Sequence, residues 1–153
     1  MVIAAAAVVI LAGYLVYQAT TTPGPVTGPV PTSFTVNGKT YVFTYVATTQ
    51  PEREAGLMNK RVTNTTTMLF AFPGPGVWLF WMKDTNTSLD MIWVNATGAS
   101  GVVVYVQAGA PPCLSASCPD YGSPTAKANY VIEAKAGFAT ANGVTVGTVV
   151  QFS

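Results

Sequence analysis

Histidine is missing altogether, and charge nearly so: of 153 residues, 7 are Lys or Arg and 6 are Asp or Glu. Without an imidazole, the common Ser–His and Cys–His nucleophile pairs cannot be assembled, and the usual mixed zinc sites lose a ligand. Charged side chains make up 8% of the chain, against about 25% in an ordinary soluble protein. A net charge of +1 provides no basic field for a nucleic-acid backbone. A P-loop, a Rossmann glycine pattern and a metal-ligand cluster are also absent from the sequence. These gaps lead us to expect a protein that is not an enzyme, needs no cofactor or metal and does not bind nucleic acid.

What is present is apolar or neutral. Half of the residues are hydrophobic, which leaves a surface of Thr, Asn, Ser, Gln and Gly. Neutral hydrogen bonding or attached sugar must keep such a surface soluble, whereas cytoplasmic domains generally use charge. The two cysteines stand close together in "PPCLSASCPD". Cys113 and Cys118 can close a small loop as a disulfide, which persists in oxidising surroundings; two free thiols are the alternative. Three Asn-x-Ser/Thr triplets make Asn64, Asn86 and Asn95 glycosylation candidates. Together these features lead us to expect an extracellular location.

The chain opens "MVIAAAAVVILAGYLVYQ", and no charge precedes Lys39. Read as a helix over 1–19, about 19 residues at about 1.5 Å each would span about 28 Å, close to a bilayer's hydrocarbon thickness. A secretory signal opens on a basic region, and none is present here. We therefore expect a terminus from which a basic leader has been clipped. Small and β-branched residues would let such helices approach one another, with Ala5, Ala6, Val9, Ala12, Gly13 and Val16 as the packing positions. In length, position and lack of charge the segment resembles the hydrophobic helix of archaeal and type IV pilins. That resemblance implies a structural subunit of a cell-surface filament, membrane-inserted before assembly. Its partners would be identical subunits in a helical homopolymer, with surface glycans as further contacts and adhesion as the role. A plain membrane anchor and a cleaved signal are the alternatives.

Residues 20–32, rich in Pro, Thr and Gly, read as an extended spacer. Residues 33–153 read as a β-rich globular head. Asn37-Gly38 between alternating runs is a hairpin signal. The single helical island is "TTQPEREAGLMNKR", where Thr49 and Glu52 are spaced as a capping box and Pro51 lies in the first turn. "TTTMLFAF", "VWLFWMK", "LDMIWVN", "GVVVYVQ", "NYVIEAK" and "VTVGTVVQF" read as strands. The expected fold is mainly β, a small barrel or sandwich-like head with one short helix, preceded by a single N-terminal hydrophobic α-helix.

"REAGLMNKR", "MLFAF", "FWMKDTNTSLDMIWVN" and "CPDYGSPTAKANYVIEAKAG" follow in that order. From about residue 39 to 152 the head resembles the family called domain of unknown function 192. The residues that carry the likeness include Gly56, Leu57, Met58, Met68, Trp81, Met82, Lys83, Asp90 and Glu133. Asp84 stands where that family usually has Asn, and Ser88 where it usually has Pro. The family has no agreed activity, so the resemblance implies a fold more than a function.

Three carboxylates, Asp84, Asp90 and Glu133, are candidates to converge for acid–base work or for Ca²⁺. The reading we favour is structural: Asp90 braces a turn, and Glu133 pairs with Lys83 or Lys135. Trp78, Phe80, Trp81 and Trp93 could stack on a sugar or base, but apolar residues at both strand parities favour a core. Met58, Met68, Met82 and Met91 read as packing. A pocket around Trp81, Lys83 and Asp90, binding a small ligand or sugar or supporting a modest catalytic activity in an anchored exterior domain, is the alternative function.

Overall fold

Asn37 and Gly38 both take positive φ, 47° and 79°, as the tightest hairpin turns require. They join β3 (Ser33–Val36) to β4 (Lys39–Val42). The computed structural model describes residues 8–11, 14–17 and 23–153. The head continues through β5 (Tyr45–Ala47), α1 (Gln50–Ala55), β6 (Thr67–Gly76), β7 (Phe80–Trp81), β8 (Leu89–Thr97) and β9 (Ser100–Ala110). It ends with β10 (Asp120–Tyr121), β11 (Ala128–Lys135), α2 (Phe138–Ala141) and β12 (Val149–Phe152).

Eight of these strands form one sheet in the order β4-β3-β12-β9-β8-β11-β6-β5. Every pairing is antiparallel except β5 with β6. Only Phe43 and Thr44 separate edge strand β4 from the opposite edge, β5. The Thr44 N–H donates to the Thr67 carbonyl (2.8 Å), and Thr67 Oγ1 donates to the Val42 carbonyl (2.9 Å). The sheet therefore curls until its two ends meet, and each strand's alternating side chains divide between an inner and an outer face. Phe34, Leu69, Ile92, Val103, Ile132 and Val150 fill the interior, where Ala139 and Val144 plug one end. Met68, Phe70, Met91, Trp93 and Val131 point outwards and are buried by Leu57, Val62, Phe80 and Met82 from the intervening segments. A side chain as large as Phe34 or Trp93, each 1% exposed, contributes about 2–3 kcal/mol when fully buried.

The helical island forms α1. Glu52 accepts hydrogen bonds from the N–H groups of Thr48 (2.8 Å) and Thr49 (2.9 Å), which hold its carboxyl down to about 2. A second helical turn, α2, was not anticipated. The "VWLFWMK" run shortens to the two residues of β7, because the chain turns away to pair with β10.

The expected spacer is docked from residue 23 onwards. Its proline-rich backbone leaves carbonyls without ladder partners, and Arg53, fully buried, collects them. The guanidinium donates to Pro23 (2.7 Å), Gly24 (3.0 Å), Thr48 (2.9 Å) and Ala71 (2.9 Å), and sits 5.1 Å from the centre of the Phe72 ring. Val26 N–H to Thr48 and Thr32 N–H to Ser153 fasten the rest.

Within the helix expected over 1–19, β1 (Val8–Leu11) and β2 (Tyr14–Tyr17) pair antiparallel, with Val9 opposite Val16, as a ribbon separate from the main sheet. Val8, Val9 and Ile10 are β-branched and suit a pleated backbone better than a helix. Ala5, Ala6, Ala12 and Gly13, the other packing positions expected there, lie outside the described residues.

Candidate functional site

Two carboxylates lie on adjacent strands and face opposite ways. Asp90 of β8 follows Leu89 and precedes Met91, both on the outer face, so its own side chain points to the barrel interior. There it accepts three backbone hydrogen bonds: Gly109 N–H on Oδ1 (2.8 Å), and Gly137 (3.0 Å) and Ala139 N–H (2.8 Å) on Oδ2. Gly137 takes φ 96°, a left-handed conformation that costs glycine little and lets β11 turn directly into α2. Asp90 is 1% exposed and is a positioning residue that fixes how α2 leaves the sheet.

That turn forms one wall of a cleft of about 430 Å³ against β4, lined by Lys39, Tyr41, Asn64, Lys135, Phe138 and Asn142 among others. The Asn37 side chain ties the hairpin to α2 through the carbonyls of Asn142 (2.8 Å) and Gly143 (3.1 Å). Tyr41 Oη and Lys39 Nζ both donate to Asn142 Oδ1, and the Tyr41 ring meets Phe138 edge-on at 4.9 Å. Two lysines, a tyrosine and an asparagine thus line one cleft whose wall holds no carboxylate. The sequence offered no signal for this grouping, because Lys39 and Lys135 are distant along the chain and unremarkable one at a time.

The remaining candidates separate. Glu133, 2% exposed, shares the outer face with Val131, not the interior with Asp90, and its burial pushes its carboxyl up to about 7. Asp84 is partly exposed and pairs with Lys83 at 3.6 Å, so the three carboxylates do not converge. Nor does Glu133 pair with either proposed lysine: Lys83 Nζ also donates to the Ser115 carbonyl (3.0 Å), and Lys135 lines the cleft. Lys83 and Asp90 serve different parts of the fold, one holding the cysteine loop and the other bracing α2. Trp93 is core and Trp78, partly buried, packs against it, whereas Trp81 is half-buried and lies outside both core clusters. Trp78 stacks on Phe72 at 4.1 Å and donates to the Ala128 carbonyl, while Trp93 donates to the Trp78 carbonyl and meets Phe80 edge-on.

Cys113 and Cys118 are joined as a disulfide. The loop lies against the segment after β7, where Asp84 N–H donates to the Cys113 carbonyl (2.9 Å). Asn64, Asn86 and Asn95 are all exposed.

A family model described as "Uncharacterized ACR", domain of unknown function 192, matches residues 32–152. Among curated proteins nothing matches. Two solved structures resemble the chain. One, a "putative transcription regulator" from Sinorhizobium meliloti 1021, has a TM-score of 0.63 at 27% identity, over 82% of this chain and 98% of its own. The other, a protein of unknown function from Novosphingobium aromaticivorans DSM 12444, has a TM-score of 0.64 at 27% identity, over 86% and 93%. These findings overturn the filament-subunit reading. The likeness spans the head and leads to no pilin, and among the described residues no helix is long and apolar enough to cross a membrane. The apolar run that suggested a filament core was a compositional signal, which a strand ribbon satisfies equally.

Proposed function

We propose, from the premise that this chain belongs to the family of domain of unknown function 192, that it is a non-catalytic binding domain whose cleft between β4 and α2 takes a small anion bearing a carboxylate or phosphate group. The observation that carries this reading is that Lys39, Lys135, Tyr41 and Asn142 line a cleft of about 430 Å³ with no acidic side chain in the lining. The volume lies within the range of small-molecule sites. Asp90 lies beneath the same turn, but its oxygens are occupied by backbone N–H groups, those of Gly137 and Ala139 among them. Recognition therefore falls to the side chains. No thiol or carboxylate lines the cleft to act as nucleophile or base, which favours binding over catalysis.

An oxidising location belongs to the same proposal. The Cys113–Cys118 disulfide, the low charge and the exposed sequon asparagines support it. The regulator role printed for the Sinorhizobium meliloti neighbour is not carried over, since seven cations in 153 residues build no basic stripe.

Backbone amide NMR titration with inorganic phosphate and with succinate tests the reading. Saturable shifts at Lys39, Tyr41 and Gly137 that weaken as salt rises are expected. Absence of shifts with both anions, or equal shifts with a neutral sugar, would overturn it.

A further inference from the structure

The cleft between β4 and α2 holds acceptors as well as cations. Tyr41 Oη donates to Asn142 Oδ1, which leaves lone pairs on the phenol oxygen to accept. Asn64 adds an exposed amide, with donors on its nitrogen and an acceptor on its oxygen. A tight turn presents it. The Thr63 N–H donates to Thr66 Oγ1 (2.9 Å), the Thr66 N–H donates to the Thr63 carbonyl (3.2 Å), and Thr66 itself is buried.

A bare dicarboxylate such as succinate accepts hydrogen bonds and donates none. Its charges match Lys39 and Lys135, but it offers nothing to the oxygens of Asn64 and Tyr41. An acceptor that gives up water without gaining a donor costs free energy. A ligand with hydroxyl groups beside its charged group supplies those donors, and a cleft of about 430 Å³ has room for the ring that carries them. Flat aromatic acids match less well. Tyr41 stacks on Phe34 (5.3 Å) and meets Phe138 at 70°, so the two rings in the lining form a corner and not a parallel slot. A saturated ring presents C–H edges to such a corner and hydroxyls to the polar rim.

Resting on the anion reading of the same cleft, we infer that its ligand class is an acidic sugar, a saturated ring with hydroxyl groups and one carboxylate or phosphate. Lys39 and Lys135 hold the charged group. Tyr41 and Asn64 accept from the hydroxyls, and Asn64 is the residue that selects an acidic sugar over a bare anion. A site built to hydrogen-bond a hydroxyl discriminates against the analogue that lacks it.

The test is amide NMR titration of the full chain at fixed ionic strength, with Asn64 verified as unmodified by mass spectrometry. The probes are glucuronate, glucose 6-phosphate, glucose, succinate and inorganic phosphate. At least one acidic sugar should bind about tenfold or more tightly than both glucose and the bare anion with the same charged group. The tighter of the two names that group as carboxylate or phosphate. Asn64→Ala should erase this advantage and leave succinate and phosphate affinities unchanged, while Lys135→Ala should weaken every anion. Acidic sugars that bind no better than succinate and phosphate would overturn the inference and leave the anion reading standing. So would an advantage that persists in Asn64→Ala. Absence of binding by all four anions would overturn both.

Discussion

The barrel interior and the outer layer each bury one acidic side chain, on strands that are direct neighbours, and treat it in opposite ways. Asp90 faces inwards, where three backbone N–H groups converge on its two oxygens. Glu133 faces outwards between two methionines, and its burial raises its carboxyl to about 7. The two layers differ in the same sense elsewhere. The interior is closed by hydrogen bonds around Thr44 and Thr67, one between backbone groups and one from the Thr67 hydroxyl. The outer layer is built from long connections, one of them stapled by a disulfide. The carboxylate held by three N–H groups fixes geometry; the one raised by burial makes stability depend on pH.

The sharpest way to break this contrast is to remove the saturated partner. Asp90→Ala strands three N–H groups, each costing about 1–3 kcal/mol when orphaned, so a loss of about 4 kcal/mol in urea unfolding is expected. The variant should also abolish anion-induced shifts at Gly137, since α2 loses its anchor. A change under about 1 kcal/mol would show that the bracing is dispensable.

The second test concerns the other carboxyl. Glu133 has a folded value of about 7 against an ordinary 4.5. Between those values the folded state therefore binds more protons than the unfolded one, and stability falls as pH rises through that window. The loss approaches about 3 kcal/mol by neutral pH, at about 1.4 kcal/mol per unit. Glu133→Gln should flatten this slope and should be the more stable form at neutral pH. A wild-type protein that gains stability from pH 4.5 to 7 would contradict the assignment.

Reducing Cys113–Cys118 should cost about 2 kcal/mol, as expected for a short closed loop. Hydrogen exchange would locate the effect: faster exchange at residues 80–85 and 111–121, with the interior strands β3, β9 and β12 unchanged. Uniform acceleration would mean that the two layers unfold as one. The smallest effect is expected at the cleft, where Lys39→Ala or Lys135→Ala should weaken phosphate binding about tenfold, or about 1.4 kcal/mol, with unfolding midpoints unmoved.

Part of this organisation is legible in the sequence. Asn37-Gly38 announces its hairpin, Glu52 sits three residues after Thr49 at the start of α1, and short apolar runs mark β8 and β11. The motifs running from Gly56 to Glu133 identify the family. The N-terminal run misled because hydrophobicity without period does not distinguish a helix from a strand. Lys39, Lys135 and Arg53 gave no site signal, since the groups they meet include residues far away in the chain.

The sequence alone therefore determined the turns, the cap, the half-buried strands and the cysteine spacing, because each depends on side chains within a few residues of one another. Only the tertiary structure decided that β4 and β5 meet, that Arg53 gathers the proline-rich segment, that Asp90 is saturated and that Glu133 lies between Met68 and Met91. These follow from strand register and sheet closure. Both are set by the cooperative packing of all eight strands at once, and no local stretch of chain carries that information.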